Sequence, residues 1–105
     1  MAKRRRLIWS PEAQADLEDI WNYYARIAGV HTAANIIQEI GYACAMLEAH
    51  VYAGRGRDEI RPGLRSIVAH PHVVFYRVRD KVAEIVRVLD QRRDIDGAFA
   101  EGIDA

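Results

Sequence analysis

"LRSIVAHPHVVFYRVRDKVAEIVRVLD", residues 64–90, decides the fold. It divides into three runs rich in β-branched and aromatic residues, at 64–69, 73–78 and 82–89. Such residues suit a pleated, half-buried surface. His70-Pro71-His72 and Arg79-Asp80-Lys81 separate the runs and are short enough for antiparallel hairpins. Each run also carries an arginine, Arg65, Arg77 and Arg87. Neighbouring side chains on a strand point to opposite faces, so a repeated cation needs either a wet face or a partner.

Upstream, Leu7 to Trp9 closes a short strand reading over residues 5–9. Ser10-Pro11 then starts a helix: the serine oxygen can accept a free backbone N–H, and proline fits the first helical position. Ala13, Leu17, Ile20, Trp21, Tyr24 and Ala28 form its apolar stripe, with Glu12 and Asp16 near the positive helix end and Gly29 as the stop. A second helix follows, with Thr32 as its expected cap and a stripe of Ala33, Ile37, Ile40, Cys44 and Leu47. Gly41 lies inside it, where close approach of the first helix is the reading for a residue that costs ~1 kcal/mol against alanine. The short link makes the two helices an antiparallel hairpin. Residues 52–63, "YAGRGRDEIRPG", read as a loop, and residues 95–100 as a short helix or a frayed end.

The expected fold is therefore α+β, one domain over residues 1–105: an N-terminal strand, then an antiparallel helical hairpin packed on one face of a mainly antiparallel four-stranded sheet. On this packing the other face of the sheet is left uncovered, and the arginines can lie there. Strand registers are not fixed by the sequence.

Composition is ordinary for a soluble domain, 50% hydrophobic and 29% charged. The zero net charge hides a division. Residues 51–93 carry ten cations, nine of them arginine, against five acids, while the tail from Asp94 adds four acids and no base. This asymmetry favours an acidic partner for the strand-rich half, through a side chain suited to phosphate and carboxylate. Cys44 cannot pair within the chain and reads as a small buried hydrophobe. No apolar run approaches the ~20 residues of a membrane span, and the basic start lacks a following hydrophobic segment, so the expected location is the cytoplasm.

Residues with chemistry to offer are few. His31, His50, His70 and His72 show no metal-ligand spacing, and His70 and His72, flanking a proline, read as a solvated turn. Ser66 has no elbow motif, and the glycines at residues 54–63 lack a following Gly-Lys-Ser/Thr. Asp58 with Glu59, and Glu84 with Asp90, have no spacing signature of acid–base pairs. Metal-free RNA cleavage needs a base, an acid and cations at the phosphate. Arginine serves only the last role, and Tyr76 and His72 are the candidates for the others. No cofactor or metal is expected.

"LIWSPEAQADLEDIWNYYA", "GRGRDEIRPGLRSI", "VVFYRV" and "EIVRVLDQRRD", in that order over about residues 7–94, resemble the ParE branch of the RelE/ParE toxin superfamily. The resemblance implies a toxin of a type II toxin–antitoxin pair that binds and poisons DNA gyrase. It also implies a cognate ParD-like antitoxin as partner, with operator DNA bound only through that antitoxin. RelE-like relatives instead cleave mRNA on the ribosome with a C-terminal tyrosine or similar residue. Residues 90–105, "DQRRDIDGAFAEGIDA", hold neither tyrosine nor histidine, which argues against that chemistry. An endoribonuclease and an inactive relative that only binds antitoxin stand as the alternatives. Arg61, Arg65, Arg77, Arg87, Arg92 and Arg93 are the expected target contacts, and Trp21, Tyr23 and Tyr24 the expected antitoxin contacts. Trp21 and Tyr24 also fit the core stripe. Asp90 departs from the family's leucine-histidine at Leu89-Asp90 and places an acid beside the target face.

Overall fold

Ser10 starts the first helix as its chemistry predicts. In a computed structural model, which describes residues 7–100, its Oγ accepts the Ala13 N–H at 3.0 Å and Pro11 takes the first helical position. Helix α1 spans Pro11–Ala28 and α2 spans Val30–Ala45. One residue, Gly29, joins them: its φ of 93° ends α1, and its carbonyl accepts the Ala33 N–H of α2. Thr32 is thus inside α2 and does not cap it, because the left-handed glycine turns the chain earlier than a side-chain cap would. Gly41 is exposed, and a Cβ built there meets nothing within 4 Å, so close approach of α1 is not its role. Residues 5 and 6 of the expected first strand lie outside the described residues, as do the acids Glu101 and Asp104.

The sheet has five strands rather than four: β1 (Ile8–Trp9), β2 (Arg55–Gly56), β3 (Arg65–Ala69), β4 (His72–Arg79) and β5 (Val82–Asp90), in the order β1-β5-β4-β3-β2. Only β1 runs parallel to its neighbour, β5. The added strand, β2, comes from the stretch expected to be loop. Two residues paired to Ser66 and Arg65 are too short to show a period of two. The β4–β5 turn places Asp80 and Lys81 at φ 53° and 64°, the two positive values that a right-twisted two-residue hairpin requires. Tyr76 pairs with Ile85 and Phe75 with Arg87, which leaves Val86 as the extra residue of a β-bulge.

Two cores lie on the two faces. Ala13, Ile40, Cys44, Leu47, Ile67, Val74, Tyr76, Ile85 and Val88 join the helical hairpin to the sheet. Leu64, Phe75, Val86, Leu89, Ala98 and Phe99 form the second. The expectation of an uncovered second face is therefore overturned. Helix α3 (Ile95–Ala100) lies over Phe75, Val86 and Leu89, whose apolar area drives the docking. Phe99 meets Phe75 edge to face at 5.0 Å, and the guanidinium groups of Arg57 and Arg61 sit 5.3 Å from Phe75 and 5.7 Å from Phe99. Among the described residues no helix is long and apolar enough to cross a membrane.

Candidate functional site

β1 is so short that most of the β5 edge turned away from β4 has no strand beside it, and α1 supplies the missing partners. The Ser10 N–H donates to Ile85 O at 2.9 Å, and its Oγ–H donates to Val86 O at 3.0 Å. Nearly two turns on, the Asp16 carboxylate accepts the Val88 N–H at 2.8 Å and both Nε and Nη2 of Arg87, at 2.7 and 2.8 Å. A buried acid thus receives three charge-assisted or backbone donors and locks α1 to the sheet. Beyond this lock, Asp16, Asp19, Tyr23, Tyr24, His72, Asp90, Arg92 and Arg93 surround a pocket of about 310 Å³ between α1 and the far end of β5. Asp90 accepts the Arg92 backbone N–H at 2.8 Å and its guanidinium at 3.0 and 2.9 Å. Those bonds hold its carboxyl well below the usual carboxylate range.

The six expected target arginines do not share one face. Arg87 is bound to Asp16, Arg77 pairs with Glu84 across the β4–β5 ladder at 2.7 Å, and Arg92 returns to Asp90. Arg61 donates to Phe99 O at 3.3 Å. Arg65 donates to Tyr52 O and Gly54 O at 3.2 and 2.7 Å. Arg92 and Arg93 lie in the exposed turn after β5, at the end of the sheet away from Arg65 and Arg77. Sequence reasoning missed Asp16 as a partner. The signal was present: an acid beside Ala13, Leu17 and Ile20 on the helix stripe needs a buried counter-charge.

The two proton-transfer candidates, Tyr76 and His72, are committed or enclosed. The Tyr76 hydroxyl accepts from the Gly54 N–H and donates to Val51 O, both at 2.8 Å, and burial pushes its pKa up. His72 is buried rather than in a solvated turn, because it opens β4 opposite Asp90 and meets Tyr24 edge to face at 6.2 Å. Its Nδ1 has no hydrogen-bond partner, and burial lowers its pKa. Burial also pushes the Cys44 thiol up to about 12, which removes it as a nucleophile. Among the described residues no group of His, Cys, Asp and Glu could hold a metal ion.

Residues 7–95 match the family model described as the ParE toxin of the type II toxin–antitoxin system parDE. The chain belongs to the ParE toxin family. Toxin ParE1 of Mycobacterium tuberculosis is 42% identical over 92 residues, which cover 87% of this chain and 94% of that protein. Toxin ParE1 of Caulobacter vibrioides is 42% identical over 82 residues, 78% of this chain and 84% of that protein. Among solved structures, a chain of the chromosomal ParDE toxin–antitoxin system from P. aeruginosa superposes with a TM-score of 0.73 at 28% identity, over 83% of this chain and 96% of that one. A chain of the E. coli DinJ-YafQ complex shares the fold, with a TM-score of 0.63 at 13% identity, over 89% of this chain and 99% of that one.

Two of the three expected antitoxin residues of this ParE-family chain, Tyr23 and Tyr24, fall at one place. Tyr23 and Tyr24 touch edge to face at 5.0 Å and both line the pocket beside Arg92 and Arg93. Trp21 is 37% exposed, so the core-packing reading does not hold for it. Burial on α1 centres on Ala13, Asp16, Leu17, Ile20 and Tyr24, and Trp21 stands beside that line. Further apolar residues are exposed around the hairpin end: Ile27 at 55% and Val30 at 63%. Tyr23, Ile27 and Val30 are close in sequence across the turn, so these exposed apolar residues are not isolated ones.

Proposed function

We propose that this chain arrests growth by binding DNA gyrase, without cutting nucleic acid itself, and that a ParD-like antitoxin neutralises it by covering the hairpin and the adjoining pocket. The observation that carries the binding reading is the commitment of the proton-transfer candidates. Tyr76 is tied to two backbone groups in the core, and His72 is enclosed with a lowered pKa. Arg77 and Arg87 are likewise neutralised by carboxylates. Gyrase as the target rests on the family, whose general role it is. Within the expected set, Arg92 and Arg93 fit target contact best, since they project from an exposed turn, while Arg87 is fixed internally. Trp21, Tyr23 and Tyr24, with Ile27 and Val30, fit the antitoxin, whose helix would lay an apolar face on the hairpin. The free edge of β3 beyond Ser66, where Val68 is 64% exposed, can accept an added strand.

Purified gyrase tests the reading. Micromolar chain should inhibit supercoiling and trap cleaved DNA, and the antitoxin should reverse both effects. Gyrase left fully active, with discrete new 5′ ends on cellular mRNA after induction, would replace this reading with the endoribonuclease.

A further inference from the structure

Tyr52 stands at the opposite end of the sheet from the pocket, 64% exposed yet rigidly placed. The loop that carries it is pinned on both sides. The Tyr76 hydroxyl bridges Val51 O and the Gly54 N–H, and the Ala53 N–H donates to His50 O at 3.0 Å. A Cβ at Gly54 would fall 2.5 Å from that hydroxyl and 2.8 Å from Ser66 O, so only glycine admits this approach. Arg65 completes the mount. It donates to Tyr52 O and Gly54 O, and its guanidinium lies 5.1 Å from the centre of the Tyr52 ring. Fixing a loop this firmly around an aromatic that packs into no core calls for another purpose.

The surroundings supply charge. Tyr52 borders an open groove of about 620 Å³ with Ala49, His50, Val51, Ala53 and Lys81. Register places Arg77 and Arg79 on the hairpin that ends in Lys81, and Arg65 at the same end of β3. The Arg65 side chain shares the Tyr76 face with this loop, whereas Arg77 and Arg79 alternate to the other face, so Lys81 in the groove and Arg65 behind the ring are the cations at hand. Glu84 is engaged by Arg77 at 2.7 Å and approached by Arg79 at 3.8 Å.

We propose that this groove binds single-stranded nucleic acid, with one unstacked base on the Tyr52 ring and the flanking phosphates against Lys81 and Arg65. A pre-set aromatic backed by a guanidinium, with a second cation in the groove, is what sequence-tolerant strand binding requires. An acidic peptide would satisfy the cations but leave the ring face unused. A duplex keeps its bases stacked away from such a ring. This site is separate from the hairpin and from Arg92 and Arg93, and needs no gyrase, so its test is independent of the proposed function.

The measurement is fluorescence anisotropy of a labelled oligothymidylate titrated with the full chain over a range of salt. Affinity should fall as salt rises. Tyr52→Leu should weaken it by about tenfold or more, while Tyr52→Phe should retain it, since the ring and not the hydroxyl does the stacking. Lys81→Glu should weaken it and flatten the salt dependence. Equal binding by Tyr52→Leu and the parent chain, with unchanged thermal melting, would overturn the proposal. So would displacement by polyglutamate as effective as that by unlabelled oligothymidylate, which would mark a site for acidic protein.

Discussion

Asp16 shows how much one carboxylate can hold. Its side chain is 8% exposed and that of its partner Arg87 is 14% exposed, so solvent does little to screen either. Removing one member of such a pair leaves a buried charge uncompensated, and here also strips the Val88 N–H of its acceptor. Asp16→Ala should lower unfolding free energy by roughly 3 kcal/mol or more in urea denaturation. Asp16→Ala combined with Arg87→Met should lose less than the two single changes together. The sequence showed Asp16 on the apolar stripe but not its partner, because the pair is 71 residues apart and depends on a register that periodicity cannot supply. His72 was misread for a related reason. Histidine beside proline looks like a turn, yet the strand starts at His72 itself and carries it inside. Its depressed pKa fixes the sign of a second prediction. The unfolded chain takes up a proton near pH 6.5 and the folded chain resists, so stability is full above that pH and falls as the solution is acidified. Asp90 opposes this shift, while Arg92 and His70 add to it. His72→Phe should therefore flatten the loss of stability measured between pH 7.5 and 5, with Tyr24 still packed against an aromatic ring.

Elements were legible where a local pattern fixed them. Ser10-Pro11, the two helices and the three long strands are all present near their expected bounds, because capping chemistry and hydrophobic period act within a few residues, although Trp21 and Ala28 of the first stripe are exposed. What could not be read was decided by partners far along the chain. Two residues of β2 become a strand only because β3 lies beside them, and α3 becomes a lid only because Phe75, Val86 and Leu89 need cover. Gly41 marks a third limit: the sequence shows a helix-breaking residue but not whether anything approaches it. Open space and helical backbone around Gly41 mean that a methyl group costs nothing in the folded state, while it restricts the unfolded chain. Gly41→Ala should raise stability by roughly 0.5–1 kcal/mol, read as a higher urea midpoint at unchanged slope. A loss instead would mean that α1 and α2 close over this position in solution.

Across the whole molecule, the surfaces proposed for the antitoxin and for gyrase adjoin. Tyr23 and Tyr24 face the same pocket as Arg92 and Arg93, so a partner seated on the end of α1 and one seated on the turn after β5 compete for the same space. Neutralisation then needs no change of shape in the toxin, only occupation. Ile27 and Val30 lie toward the hairpin end and are not among the pocket residues, which gives a way to separate the two contacts. Ile27 is 55% exposed, so Ile27→Asp should leave the fold intact. It places a charge where an apolar helix face would land, and affinity for the antitoxin should drop at least tenfold, about 1.4 kcal/mol, with gyrase inhibition unchanged. Arg92→Glu with Arg93→Glu should do the reverse at the target, lowering gyrase inhibition through the lost exposed cations. Calorimetry against the antitoxin and a supercoiling assay on the same preparations would measure both. If Ile27→Asp weakened gyrase inhibition as much as antitoxin binding, the hairpin would have to be part of the target surface, and occlusion at the pocket alone would not account for neutralisation.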